Sequence, residues 1–224
     1  MGLMITGVTV GTIIAAVKAA IEAEHLARRY GRRWALVDVS LVVAQGEVLM
    51  VAGRNGSGKS TLLRVLATAI RPTRGSARVG GFDVVSQRDE VRTQIALLSH
   101  SSYHYEALTA RENLDIAARF LGAGDAGEML ARVGLAERAN DPVSSFSAGM
   151  RKRLSFARVL LQRPRVALLD EPYGQLDPEG FVLVGDVVQE LKSAGATVVM
   201  ATHQIDRVGS FADRAITLEA GRLA

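Results

Sequence analysis

The residues most suited to chemistry in this sequence form a glycine-rich loop, GRNGSGKST at residues 53–61. The loop follows the apolar run Val48–Ala52 and precedes the apolar stretch 62–69, which predicts a strand, a turn and a helix in that order. Glycine permits backbone conformations that other residues avoid, so successive N–H groups can point at phosphate oxygens. The helix opening near Ser60 adds its positive dipole end. The predicted phosphate cradle comprises Gly53, Asn55, Gly56, Ser57, Gly58, Lys59, Ser60 and Thr61.

Three side chains at the end of this loop have distinct predicted roles. Lys59 can reach the β- and γ-phosphates of a nucleoside triphosphate as a mobile point charge. The Ser60 hydroxyl is placed to ligate Mg²⁺, and Thr61 is placed to bond an α-phosphate. A chance glycine-rich turn is the alternative, but the strand and helix patterns on its two sides both agree with phosphate binding. The loop predicts nucleotide and Mg²⁺ binding and leaves the class of enzyme open.

Two adjacent acids, Asp170 and Glu171, follow the apolar residues 166–169. In a protein with a phosphate-binding loop, the first acid at such a strand end orders Mg²⁺ through its water, and the second polarises an attacking water. We therefore predict that Asp170 is the metal-side acid and that Glu171 is the general base. Paired acids at a strand end also serve as the N-cap of a helix, but the upstream loop favours the catalytic interpretation.

Two ring-bearing residues are predicted near the same site. Tyr30 falls on a loop ahead of the strand that leads to Lys59, where its ring could stack on a purine or pack against the edge of the sheet. His203 falls at the carboxyl end of the strand predicted over residues 197–202. A single histidine in such a place is more often structural, so neither ring decides the function by itself.

The elements around these residues predict an α/β fold. Residues 21–26 and 37–43 alternate apolar and polar side chains, as an antiparallel strand pair with one buried face does. Further along, strands alternate with helices, which predicts a mostly parallel sheet with ligands at the carboxyl ends of its strands. Between residues 109 and 161 only helical periodicity occurs, which predicts helices over residues 111–121, 127–133 and 148–161. We predict a single domain over residues 20–224, with an antiparallel β subdomain and an inserted helical subdomain at about residues 105–162.

Composition restricts the remaining possibilities. The chain of 224 residues is 48% hydrophobic, which suffices for a proper core. The net charge of +4 could attract nucleic acid or anionic lipid, but scattered arginines on a solvated surface explain it equally well. The sequence has no cysteine, which excludes disulfides and thiolate metal sites and fits a reducing compartment.

Residues 1–19 form an apolar N-terminal extension to which we assign no role. Residues 1–17 carry no charge, but the run falls short of the ~20 residues that span a bilayer, and glycines and threonines interrupt it. It also lacks the basic start of a signal peptide. The chain is therefore not predicted to cross a membrane by this segment.

A second nucleotide-facing pattern, FSAGMRKRLSFARVLL at residues 146–161, precedes Asp170. A guanine-reading Asn-Lys-x-Asp loop is absent from the sequence, which argues against a GTPase. Together with Lys59, the Asp170–Glu171 pair, the run GQLD at 174–177 and His203, this pattern makes the chain from residue 21 onward resemble the ATP-binding subunit of ABC transporters. The resemblance implies the ABC-type ATPase domain of the P-loop NTPase fold.

The resemblance also implies roles for individual residues. Tyr30 matches the adenine-stacking position, and His203 matches the switch histidine that contacts the γ-phosphate. Ser147 and Gly149 match the family signature, and Asp177 matches the D-loop aspartate. In that family two subunits pack head to tail, so that the signature of one covers the γ-phosphate bound by the other. A hydroxyl at a helix start and a glycine that permits close backbone approach suit this task.

The implied partners follow from the same resemblance. We expect ATP and Mg²⁺ as cofactors and an ATP-dependent head-to-tail homodimer, or pairing with a similar subunit. We also expect separate transmembrane permease subunits, which would hold the protein peripherally on the cytoplasmic side of the cell membrane. No nucleic acid partner is expected, because the long coiled-coil insertion of nucleic-acid-associated ABC ATPases is absent.

Two positions depart from the family pattern. His100 stands where the family usually has a glutamine whose amide meets Mg²⁺ and the membrane subunit. It is a candidate metal-site or coupling residue, with a histidine at the rim of the site as the alternative. Met150 stands where the signature usually ends in glutamine, which removes a polar side chain but neither phosphate-facing residue.

Finer features resemble one branch of the family. His100, the run RRWAL at 32–36 and the FSAGM variant of the signature look like the ATP-binding subunit of the haem exporter of cytochrome c biogenesis. Multidrug and antibiotic exporter ATPases share FS-x-GM and are the alternative, and a soluble ABC ATPase without a transport role is a third. The sequence therefore predicts export, with haem as the first expectation for the substrate.

Overall fold

The structure is a computed structural model that describes residues 18–99, 103–122, 124–204 and 211–224. Its strands are β1 (Ala19–Tyr30), β2 (Arg33–Ala44), β3 (Val48–Ala52), β4 (Arg74–Val79), β5 (Phe82–Asp83), β6 (Ile95–Leu98), β7 (Val166–Asp170), β8 (Thr197–Thr202), β9 (Arg214–Glu219) and β10 (Arg222–Leu223). Its helices are α1 (Lys59–Leu66), α2 (Arg88–Gln94), α3 (Ala110–Leu121), α4 (Ala126–Arg132), α5 (Ala148–Gln162) and α6 (Pro178–Ser193). The predictions for residues 1–17 and for His100 lie outside the described residues.

The larger sheet has six strands in the order β10-β9-β3-β8-β7-β6. All neighbouring pairs are parallel except β10 with β9, as the alternation of strands and helices predicts. Every residue of β3, β7 and β8 is buried, because both faces of the sheet are covered. In β3, Met50 enters the core that includes Phe156 of α5, whereas Leu49 enters the core that includes Leu63 of α1. The pairing in register places the carboxyl ends of β3, β7 and β8 side by side.

The smaller sheet is antiparallel, with the strand order β2-β1-β4-β5. The predicted pairing of residues 21–26 with residues 37–43 is present, but both strands are longer than predicted. The placement of Tyr30 on a loop was wrong, since Tyr30 is the last residue of β1 and pairs with Arg33. Gly31, at φ +55°, allows a tight turn between the strands, so the ladder continues to the hairpin end.

Helices α3, α4 and α5, except for its last residue, occupy the region where only helical periodicity was found. Each has a polar N-cap: Thr109 forms a capping box with Glu112, Asp125 accepts from two backbone N–H groups, and Ser147 accepts from Met150. The predicted helices over residues 111–121, 127–133 and 148–161 agree with the observed bounds to within one residue. In the described part of the chain, none of the helices is long and apolar enough to span a bilayer.

The capping box of α3 gives a stability prediction. Thr109→Ala removes the hydroxyl that accepts from the Glu112 backbone N–H at 3.1 Å. We expect the free energy of unfolding to fall by about 1 kcal/mol, the usual contribution of such a cap. Urea denaturation followed by circular dichroism measures this, with Thr93→Ala as a control at an exposed threonine that caps no helix start. An equal loss in both variants would contradict the assignment.

Candidate functional site

The glycine-rich loop passes from β3 into α1, packed closely against the rest of the fold. Gly53 and Gly58 have φ values of +146° and +112°. A Cβ on Gly53 would lie 2.3 Å from the Leu218 carbonyl oxygen, and one on Gly58 would lie 2.4 Å from that of Ala35. Both positions therefore require glycine for conformation and for space. The first turn of α1 contains no acidic residue, so its free N–H groups and positive dipole end favour an anionic ligand.

The ammonium group of Lys59 contacts the backbone of this loop. Its Nζ donates to the carbonyl oxygens of Gly53, at 2.8 Å, and Arg54, at 3.3 Å. It also lies 3.5 Å from Oε1 of Glu171, and the side chain is only 5% exposed. A buried cation held by backbone oxygens and a single carboxylate can exchange these partners for phosphate oxygens, which are stronger acceptors.

Ser60 and Asp170 join α1 to the carboxyl end of β7. The Ser60 hydroxyl donates to Oδ1 of Asp170 at 2.8 Å. Asp170 is 2% exposed, and this burial raises the pKa of its carboxyl group. A hydroxyl and a carboxylate in contact are the oxygen donors that Mg²⁺ prefers, and this ion usually takes few protein ligands together with substrate phosphates. Within the described ranges no cluster of three or more His, Cys, Asp or Glu side chains could hold a metal. The Ser60 hydroxyl and the Asp170 carboxylate fit a Mg²⁺ that takes its remaining ligands from a nucleotide and water.

The Glu171 carboxylate is held by two groups at the carboxyl end of β8 and by Lys59 of α1. Its Oε2 accepts from Oγ1 of Thr202, at 3.2 Å, and lies 3.0 Å from Nδ1 of His203. A carboxylate only accepts, so Nδ1 of His203 carries the proton of that hydrogen bond, and Nε2 is the ring nitrogen left for another partner. With Lys59 on the opposite oxygen, three predicted site residues from separate parts of the sequence meet.

A cleft of about 690 Å³ contains most of the predicted nucleotide site. The predicted residues that line it are Tyr30, Asn55, Gly56, Gly58, Lys59, Ser60, Thr61, Glu171 and His203. Gly53, Ser57 and Asp170 do not line it. Asp170 reaches the site through Ser60, and the buried Ser57 hydroxyl has no hydrogen-bond partner among the described residues.

The cleft also contains residues that the sequence interpretation missed, namely Arg33, Ala35 and Gly174. Arg33 pairs with Tyr30 at the β1–β2 hairpin, so the turn that moved Tyr30 into the strand also brings a guanidinium to the cleft. The Arg28 guanidinium lies 4.7 Å from the centroid of the Tyr30 ring, where it makes a cation–π contact. The arginines of the GRR run next to an aromatic residue were the signal that could have indicated a charged cleft wall.

The signature residues are not in this cleft. Ser147 caps α5, with its hydroxyl accepting from the Met150 backbone at 3.2 Å. Asp177 caps α6 and accepts from the Gly180 backbone at 2.8 Å, a bond that lowers the pKa of its carboxyl group. Among the described residues that line the cleft, Ser147, Gly149 and Asp177 are absent. One chain therefore brings together the phosphate loop, the two acids and the histidine, but not the signature.

The family profile described as ABC transporter matches residues 36–174. The fold and the cleft thus define a P-loop ATPase, and the chain belongs to the ABC transporter family as an ATP-binding subunit.

Curated relatives extend this result. The chain is 40% identical over 210 residues to the daunorubicin resistance ATP-binding protein DrrA3 of Streptomyces coeruleorubidus, covering 91% of this chain and 66% of that protein. It is 37% identical over 210 residues to the daunorubicin/doxorubicin resistance protein DrrA of Streptomyces peucetius, covering 91% and 64%. It is 37% identical to the glutamine transport protein GlnQ of Escherichia coli, covering 91% and 89%. The chain spans about two thirds of the length of the two drug-resistance relatives.

A solved structure supports the enzymatic activity. The dimeric post-hydrolysis state of the ATP-binding cassette MJ0796, bound to ADP and Pi, superposes with a TM-score of 0.83 at 27% identity. The match covers 91% of this chain and 96% of that one. The chain is accordingly an ATPase, and its mixed sheet with an antiparallel subdomain and helices is the ABC ATPase fold.

Proposed function

We propose that this subunit hydrolyses ATP to power export of a drug-like compound through separate membrane subunits. The observation that carries the proposal is the meeting of Lys59, Glu171 and His203 at the carboxyl ends of three adjacent strands. Glu171 acts as the general base on the attacking water, and Lys59 neutralises the β- and γ-phosphates. His203 contacts the γ-phosphate through the ring nitrogen that Glu171 leaves free.

ATP and Mg²⁺ are the proposed cofactors of this cleft. Ser60 and Asp170 would hold the ion, which would neutralise charge on the phosphates. Tyr30, which lines the cleft, stacks on the adenine, and the loop N–H groups bind the phosphates. The chain's own part in the reaction is to bind and orient the triphosphate and to take a proton at the Glu171 carboxylate.

The substrate class is proposed from the relatives. Both Streptomyces relatives described above are named for drug resistance, and drug-exporter ATPases share the FS-x-GM pattern of the signature. None of the relatives described above is named for haem export, and His100, one support for haem, lies outside the described residues. We therefore favour the drug-exporter alternative over haem export.

Loss of the gene in its host separates these two substrates. We expect such a strain to become sensitive to an anthracycline such as daunorubicin while it keeps normal haem-stained c-type cytochromes. The wild-type gene should restore resistance, and the Glu171→Gln gene should not. Loss of c-type cytochromes with unchanged drug sensitivity would instead support haem export.

We propose that the membrane partner docks on exposed aromatic side chains of the segment before α3 and of α3 itself. Tyr103 and Tyr105 follow β6, and Phe120 lies near the end of α3; these rings are 75%, 61% and 90% exposed. Exposed aromatic residues are typical of protein interfaces. Contact here would hold the subunit peripherally at the cytoplasmic side of the membrane.

A tagged chain should retain permease subunits from detergent-solubilised membranes, whereas nuclease-sensitive partners would indicate a non-transport ABC ATPase.

The proposed dimer explains why the signature lies outside the cleft. Ser147 and Gly149 of one subunit would close over the γ-phosphate bound by the other, with Asp177 near the contact. The nucleotide supplies the negative charge between two basic half-sites, so dimerisation should require ATP.

Ser147→Arg tests this arrangement. The substitution places a long cation where the partner's nucleotide would be, so we expect a monomer that still binds ATP but fails to dimerise. Light scattering in a Glu171→Gln background, with and without Mg-ATP, measures the mass. Ser144→Arg, at an exposed serine before the signature, is the control. A dimer that forms without ATP, or that survives Ser147→Arg, would refute the proposed packing.

A further inference from the structure

Helix α5 contacts the segment 171–177 along one face. The Arg153 guanidinium donates to Asp177 at 3.1 Å, and Nζ of Lys152 donates to the backbone carbonyl oxygen of Glu171 at 3.0 Å. A Cβ on Gly149 would lie 3.0 Å from the Gln175 carbonyl oxygen. Positions 149, 152 and 153 share a helix face at three- and four-residue spacing. The helix that begins at the signature thus supports the turn that carries the predicted base.

Lys152 is an unusual residue for this position, because lysine is seldom buried without a carboxylate partner. It is 7% exposed, and across the described ranges no carboxylate oxygen lies within ion-pair distance of its Nζ. Burial lowers the pKa of Lys152 to about 8, and the charges of Asp170 and Glu171 oppose that shift. Burying an ammonium group has a free-energy cost, so the burial of Lys152 needs a structural or functional reason.

The partner of Lys152 is a strained peptide. Glu171 has φ +45°, a left-handed conformation that is unfavourable for a residue with a Cβ. Its N–H donates to the Ala201 carbonyl oxygen at 2.8 Å, and its own carbonyl oxygen also accepts from Gly174 at 3.1 Å. Such conformations persist where the surroundings fix them. From α5, Lys152 contacts this peptide by donating to its carbonyl oxygen.

We propose that Lys152 is a positioning residue that fixes the Glu171 peptide and thereby aims the Glu171 carboxylate in the cleft. The inference rests on the proposed role of Glu171 as the base. Without the Nζ hydrogen bond, the peptide is free to relax from its left-handed conformation, and the carboxylate leaves its place beside His203. ATP binding is not affected, because Lys152 does not line the cleft.

Lys152→Met tests the proposal, since methionine preserves much of the buried volume and removes the donor. We expect kcat of the purified chain to fall roughly 10- to 100-fold, the effect of misplacing a catalytic group by about 1 Å. ATP affinity should stay within about three-fold, and Lys152→Arg should recover much of kcat because it keeps a donor. Ser155→Ala is the control, because Ser155 is buried on the same helix and bonds to His104 and Arg151 rather than to Glu171.

A double-variant cycle separates positioning from simple structural support. If Lys152 acts through Glu171, Lys152→Met in a Glu171→Gln background should cause no further loss in single-turnover rate. Additive losses, a change confined to KM, or full activity of Lys152→Met would overturn the proposal. If Lys152→Met does not fold, Lys152→Gln enters the same cycle. Wild-type turnover by Glu171→Gln itself would instead refute the proposed base and leave the contact with α5 as structural.

Discussion

Glu171→Gln is expected to lower ATP hydrolysis by about 10²- to 10⁴-fold, the usual contribution of a general base. An amide matches the carboxylate in size and can still bond to Thr202 and His203, but it cannot accept a proton. The Lys59 cradle is unchanged, so ATP affinity should remain within a few-fold. The variant should therefore accumulate as an ATP-bound dimer.

Single-turnover hydrolysis and nucleotide affinity, measured on the same protein, test this expectation. Glu128→Gln is the matched control, because Glu128 is an exposed glutamate on α4 that makes a long 4.0 Å ion pair with Arg132. The control should retain wild-type turnover. If Glu171→Gln also turns over at the wild-type rate, Glu171 is not the base, and another group must activate the water.

The parts of the site that were predictable are those in which local sequence determines local structure. The conformation of the phosphate loop has φ values and close contacts that only glycine tolerates at Gly53 and Gly58. The spacing of the glycines therefore indicates the loop directly. The buried strands ending at Asp170 and Thr202 are short apolar runs, and parallel pairing then brings their ends to one edge. This is why Ser60, Asp170, Glu171 and His203 converge as the pattern indicates.

The parts that were missed depend on tertiary geometry. The contact between Lys152 and Glu171 depends on how α5 packs against the turn after β7, which no periodicity encodes. Arg33 enters the cleft because a tight turn at Gly31 extends the β1–β2 ladder. The seven-residue α2 and the two-residue β10 are too short to give a clear hydrophobic period.

The position of Ser147 outside the cleft shows a second limit of prediction from the sequence. The sequence identifies both the phosphate loop and the signature, but Ser147 and Gly149 do not line the cleft of a single chain. In the proposed dimer a second copy would supply them. The order of motifs therefore predicts the parts of the site and not their assembly, which the Ser147→Arg experiment addresses.

Lys59→Ala should differ in kind from Glu171→Gln, because it removes the cation proposed to hold the phosphates. Hydrogen bonds from a charged donor contribute about 1.5–3 kcal/mol each, so we expect ATP affinity to fall about 10- to 100-fold at 1.4 kcal/mol per decade. Hydrolysis should fall with it, since Lys59 also neutralises charge that develops on the phosphates. The ATP-dependent dimer should fail to form at nucleotide concentrations that saturate the wild-type chain.

Nucleotide titration by calorimetry, together with thermal unfolding, tests this prediction. Unfolding matters because Lys59 also donates to Gly53 and Arg54, so the folded loop must be verified in the variant. Lys192→Ala is the control: Lys192 pairs with Asp213 at 2.6 Å away from the cleft, and its removal should leave ATP affinity unchanged. A Lys59→Ala chain that unfolds normally, binds ATP with wild-type affinity and fails only in hydrolysis would show that the N–H groups of the loop and of α1 suffice to hold the phosphates, and that Lys59 acts in the transition state alone.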